Sequence, residues 1–89
     1  MNQQFIKYDL GHLSGGEVVT VTLRERANVR LIDSNNLKLY ERSQQFQFVG
    51  GQAQRSPVQL QVPNPGHWFV VLDLGGGSGT IHSSVSVSS

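Results

Sequence analysis

A chain of 89 residues with 7 basic against 6 acidic side chains and no cysteine has room for one domain, 1–89, held by its apolar core and not by disulfides or a Cys-ligated zinc. Its formal charge of +1 is too weak a footprint for duplex nucleic acid, which is bound by neutralising several phosphates. No apolar run reaches the ~18–20 residues of a membrane span, and the opening Met1-Asn2-Gln3-Gln4 shows no basic and apolar leader, so a cytoplasmic protein is expected.

Phe5 to Leu10 is aromatic and β-branched and reads as a first strand, followed by a turn over Gly11–Gly16. Glu17 to Arg24 alternates, with Val19, Val21 and Leu23 on one face and Val18, Thr20 and Thr22 on the other, a pattern of strands and not of helices. After the charged connection Glu25-Arg26, Ala27 to Asp33 alternates again, Val29 and Leu31 inward and Asn28 and Arg30 outward. Ser34-Asn35-Asn36 has turn composition. Leu37 to Ser43 fits two patterns: Leu37 and Leu39 alternate as in a strand, while Leu37 and Tyr40 share a helical face. A strand is preferred.

Gln45 to Val49 places Phe46 and Phe48 on one face. A loop over Gly50–Ser56 leads to Pro57 and a half-buried strand with Val58, Leu60 and Val62 inward. Pro63-Asn64-Pro65-Gly66 is the strongest turn. Beyond it, Trp68, Val70, Leu72 and Leu74 commit one face of a central strand to the core, opposite His67, Phe69, Val71 and Asp73. Gly75–Gly79 reads as a hairpin loop. It has neither the following helix nor the lysine that phosphate binding needs. Thr80 to Val87 closes the pattern, with Ile81, Val85 and Val87 inward.

Seven or eight short strands with regular turn signals predict an all-β chain forming one antiparallel β-sandwich of jelly-roll type. Its expected core holds Trp68, Val70, Leu72, Val19, Val21, Leu23, Val29, Leu31, Leu60 and Ile81. Catalytic and metal chemistry find little support. His12, His67 and His82 are not at ligand spacing, so no metal, cofactor or catalytic residue is expected. Arg55 is the exposed cation best placed for a ligand anion, and Tyr40, flanked by Lys38 and Arg42, is a candidate stacking ring.

Tyr8-Asp9-Leu10-Gly11-His12-Leu13, Ala27 to Asp33, Gly50-Gly51, Arg55-Ser56-Pro57-Val58 and Gly66-His67-Trp68 through Gly76 resemble a small bacterial domain family of unknown function that occurs alone or joined to TIR domains. The resemblance implies a compact β-sandwich with an accessory or sensing role, and a signalling partner in trans where no TIR domain is attached. A more distant likeness, of architecture only, is to jelly-roll accessory domains of secreted peptidases. The family-typical polar residues Asn28, Asp33, Arg55, His67 and Asp73 suit either a shared ligand surface or turn and edge chemistry.

The leading expectation is a non-catalytic binding or interaction module that engages a protein partner or small polar ligand through Arg55, His67, Tyr40 and Asn28. Its edge strands allow a homodimer. Carbohydrate binding on Tyr40 or Trp68 is an alternative that requires one of those rings exposed. A Ser–His–Asp hydrolase is another, requiring a histidine bonded to both a serine and an aspartate.

Overall fold

Seven strands and one helix form among the described residues of the computed structural model, which are 5–53, 55–74 and 81–89. In chain order they are β1 (Phe5–Leu13), β2 (Val18–Leu23), β3 (Ala27–Asp33), α1 (Ser34–Glu41), β4 (Val49–Ala53), β5 (Val58–Gln61), β6 (Gly66–Asp73) and β7 (Ser83–Ser88). They make two antiparallel sheets, ordered β1-β6-β3-β4 and β5-β2-β7. The chain changes sheet at every connection between consecutive strands except β3 to β4.

The alternation in β2, β3 and β6 decides the packing. Val19, Val21 and Leu23 of the smaller sheet meet Val29, Leu31, Trp68, Val70 and Leu72 of the larger one. Leu60 and Ile81, also expected in this core, are half-buried at its margin. β6 pairs with β1 on one side and β3 on the other, and from Val70 to Asp73 both of its faces are buried. Its even-numbered residues face the smaller sheet, while Val71 joins Ile32 and Leu37 in a second cluster beneath α1.

Helix α1 departs from the expected all-β chain. It occupies the turn predicted at Ser34–Asn36 and most of the strand predicted over Leu37–Ser43. Asp33 explains its start: its carboxylate accepts a hydrogen bond from the Asn36 backbone N–H at 2.8 Å and caps the first turn. Packing explains its persistence, because eight residues are too few for an isolated helix. The helical spacing of Leu37 and Tyr40 prevails over the Leu37/Leu39 alternation by laying both on the outer face of the larger sheet.

The strand expected over Gln45–Val49 is likewise corrected; only Val49 enters one. The preceding backbone is tied to the helix, Gln44 N–H donating to Leu39 O and Gln47 N–H to Asn36 Oδ1, both at 2.8 Å. Gly50 and Gly51, expected in a loop, lie in β4 instead. Gly50 has φ +118°, and a Cβ there would collide with the Val29 carbonyl. β1 continues past Leu10 to Leu13 through a register shift between Asp9 and Gly11. The turn falls on Ser14–Gly16, where Glu17 accepts from the Ser14 and Gly15 N–H groups at 2.7 Å. Val87, expected inward, is 40% exposed, because β7 is an edge strand. The predicted hairpin loop Gly75–Gly79 lies outside the described residues.

Gly50→Ala combines a collision with an unfavourable φ and is expected to cost more than about 1 kcal/mol, read as a lowered midpoint in urea unfolding. Asp33→Ala removes the helix cap and is expected to cost about 1 kcal/mol in the same assay.

Candidate functional site

Three polar assemblies stand on this frame. The first is buried. Asp73, at the end of β6, is 0% exposed. Its carboxylate accepts from Asn28 Nδ2 at 2.8 Å, from the Arg30 guanidinium and from the Tyr40 hydroxyl at 3.2 Å, and these are not all of its contacts. The register makes this possible: Asn28 lies directly across from Asp73, and Arg30 two positions along the same face of β3. The Arg30 guanidinium also lies 5.7 Å from the Tyr40 ring centroid and 5.3 Å from that of Phe48. Phe48 is 41% exposed and covers the ion pair from outside. Phe5 and Phe46 each meet the Tyr40 ring edge-on. Burial of the phenol, followed by the neighbouring Asp73 carboxylate, pushes the Tyr40 pKa up to about 12.

The second assembly lies at the other end of β6, on the same face. His67 Nε2 is 2.6 Å from Asp9 Oδ1 on β1, and its imidazole stacks on Phe69 with 4.7 Å between centroids. Lys7 Nζ also lies over the Phe69 ring, 5.7 Å from its centroid. Six steps along the strand, roughly 20 Å, separate His67 from Asp73.

The third is a hollow of about 290 Å³ lined by Leu23, Arg24, Glu25, Arg26, Ala53, Arg55 and Ser56. It forms where β2 ends, β3 begins and the strand β4 gives way to β5. The Leu23 N–H donates to Ser56 Oγ at 2.8 Å, fixing one wall. Three of the chain's seven Lys and Arg residues line it. Among the described residues, none of the three forms an ion pair within 4 Å. Glu25, the one acid in the lining, accepts from the His82 backbone N–H at 2.6 Å and lies 3.3 Å from its Nδ1. That N–H is the main reason its carboxyl sits below the usual range.

A smaller hollow of about 140 Å³ is lined by Asp33, Asn36, Gln47 and Asn64 among others. Two of these side chains are engaged by the fold: Asp33 caps α1 and Asn36 holds Gln47.

The four residues expected to share a site are thus divided. Tyr40 and Asn28 meet at Asp73, His67 belongs to the Asp9 pair, and Arg55 lines the arginine hollow. Arg30, Arg24 and Arg26 are the residues that reading the sequence missed as site members. The Arg24-Glu25-Arg26 run was a usable signal, but its proximity to Arg55 depends on strand pairing distant in sequence. Of the rings required for carbohydrate stacking, Trp68 is 5% exposed with its Nε1 donating to Asn64 O, and Tyr40 is engaged by Phe5, Phe46 and Arg30. For the hydrolase alternative, His67 meets Asp9 and His82 meets Glu25. Among the described residues no serine hydroxyl joins either pair.

Fold and site together define a small domain of two packed antiparallel sheets, with a helix on one outer face and an arginine-lined hollow at one end. The chain belongs to the DUF1883 family, a domain of unknown function, whose model matches residues 3–89. No match was found among curated proteins, and none among solved structures.

Asp73→Ala leaves the Arg30 guanidinium facing an emptied site and is expected to cost about 3–5 kcal/mol in chemical denaturation. In the intact protein, ultraviolet titration should place the Tyr40 phenolate transition near pH 12, above its ordinary 10.0. Because the folded value is the higher one, the stabilisation associated with neutral Tyr40 is complete below pH 10 and lost as pH rises through about 12. Asp73→Asn, which removes the neighbouring charge, should move that transition downward.

Proposed function

We propose that this domain is a non-catalytic interaction module that holds an acidic segment of a protein partner in the hollow of Arg24, Arg26 and Arg55. The observation that carries the reading is that three arginines line one hollow without an ion pair within 4 Å among the described residues. Guanidinium groups present several donors in a fixed plane and suit carboxylate or phosphate groups. Three arginines against one glutamate, whose carboxylate also accepts from the His82 N–H, leave the lining with a net positive charge. The family resemblance extends the proposal to an accessory role in TIR-type signalling within a bacterial cytoplasm, with the TIR protein supplied in trans. The repeated crossing between sheets supports reading the architecture as a shortened jelly roll.

Titration of isotopically labelled protein with an Asp/Glu-rich peptide should shift the backbone amides of Leu23, Arg24, Arg26, Ala53, Arg55 and Ser56. The shifts should shrink as salt is raised. Arg26→Glu combined with Arg55→Glu should abolish them while leaving the circular dichroism spectrum unchanged. Shifts confined to the His67 patch, or none at low salt, would refute the assignment.

A further inference from the structure

We infer that β7 is a self-association edge, where a second copy of this chain pairs antiparallel and continues the β5-β2-β7 sheet across a twofold axis. The direction of its unused backbone groups follows from the register. Arg24 N–H donates to His82 O at 3.2 Å, one step beyond the facing residues Leu23 and Ser83. Arg24 and His82 are therefore a hydrogen-bonded pair, and such pairs alternate along an antiparallel ladder. Ser84, Ser86 and Ser88 direct their N–H and C=O groups to β2; those of Ser83, Val85 and Val87 point away from it, and of these the Ser83 carbonyl accepts from the Tyr8 hydroxyl at 3.3 Å, which leaves Val85 and Val87 as the edge open to pairing. No described strand lies on that side.

The other sheet edges carry features that discourage pairing. β1 has Lys7, Asp9 and the register shift after Asp9. β4 has two glycines at φ +118° and +153° in five residues. β5 is four residues long and stands between Pro57 and Pro63. β7, Ser83-Ser84-Val85-Ser86-Val87-Ser88, has no charge, proline or glycine in six residues.

Its side chains also suit a second copy. With Ser86 opposite Ser86 of the other copy, Val85 of each copy faces Val87 of the other, and Ser84 faces Ser88. The hydrogen-bonded positions of this register are the odd-numbered ones, whose groups point outward. Val87 lies on the face that Val85 turns to the core, yet it is 40% exposed and is one of only two large hydrophobic residues exposed among those described. The pairing places it against an apolar neighbour and brings no like charges together.

Sedimentation equilibrium of the full chain from micromolar to millimolar concentration should show a monomer–dimer transition. Hydrogen exchange at Val85 and Val87 should slow as the dimer forms. Val87→Pro removes an outward N–H while leaving the β2–β7 hydrogen bonds in place, and Val87→Lys sets a charge on the edge. Each should weaken dimerisation by about tenfold or more with an unchanged circular dichroism spectrum. Should the proline variant unfold, the lysine variant alone decides. A wild-type chain still monomeric at millimolar concentration would overturn the inference. So would a dimer whose Val85 and Val87 amides exchange at the monomer rate, or a Val87→Lys variant that dimerises as well as wild type.

Discussion

The Asp73 carboxylate determines how the outer layer sits on the larger sheet. It is withdrawn from water at the end of a strand buried there on both faces, so its charge must be matched by groups the fold delivers. Asn28 and Arg30 arrive by register from β3, and Tyr40 arrives from the helix. One residue thereby joins β6, β3 and α1. The dependence is mutual, because Arg30 is itself mostly covered, with Tyr40 and Phe48 against its guanidinium. Phe48 owes its exposure to that position, shielding an ion pair instead of filling a core.

The positive charges of the chain therefore fall into groups with different surroundings. Arg30 is matched by a buried carboxylate. Lys7 lies beside Glu41 at 3.9 Å on the surface, a contact of little energetic consequence. Arg24, Arg26 and Arg55 stand together around a hollow whose single acid is bonded elsewhere. A net charge near zero conceals this local excess, which composition alone could not disclose.

The sequence made the inter-sheet core legible because strict alternation survives in β2, β3 and β6, and those strands place the predicted residues Val19, Val21, Val29, Leu31, Val70 and Leu72 there. It misled at Leu37–Ser43, where both periods fit and the arbiter was Asp33, a capping residue just before the ambiguous stretch. Gly50 was read as a loop signal, though its actual role is close approach to the Val29 carbonyl within a strand pair. The proposed site was the least legible part. Asn28 and Asp73 come together only through pairing between β3 and β6, Tyr40 joins them only once α1 packs on that sheet, and Arg55 reaches Arg24 and Arg26 only after β2, β3 and β4 have assembled.

The position of β6 also bears on how the chain acquires its structure during synthesis. β1 is the first strand to be made, but its partner in the sheet is β6, with Phe5 facing Asp73 and Leu13 facing Gly66. Until that late segment emerges, the edge of β1 has no ladder to join, and β3 has β4 alone beside it. Closing the larger sheet is then an event of long sequence separation, slow because the intervening chain must be ordered before the contacts are gained. The nascent domain thus passes through an interval in which its earliest strand is unpaired. Lys7 and Asp9 on that strand limit its attraction for other chains while it waits.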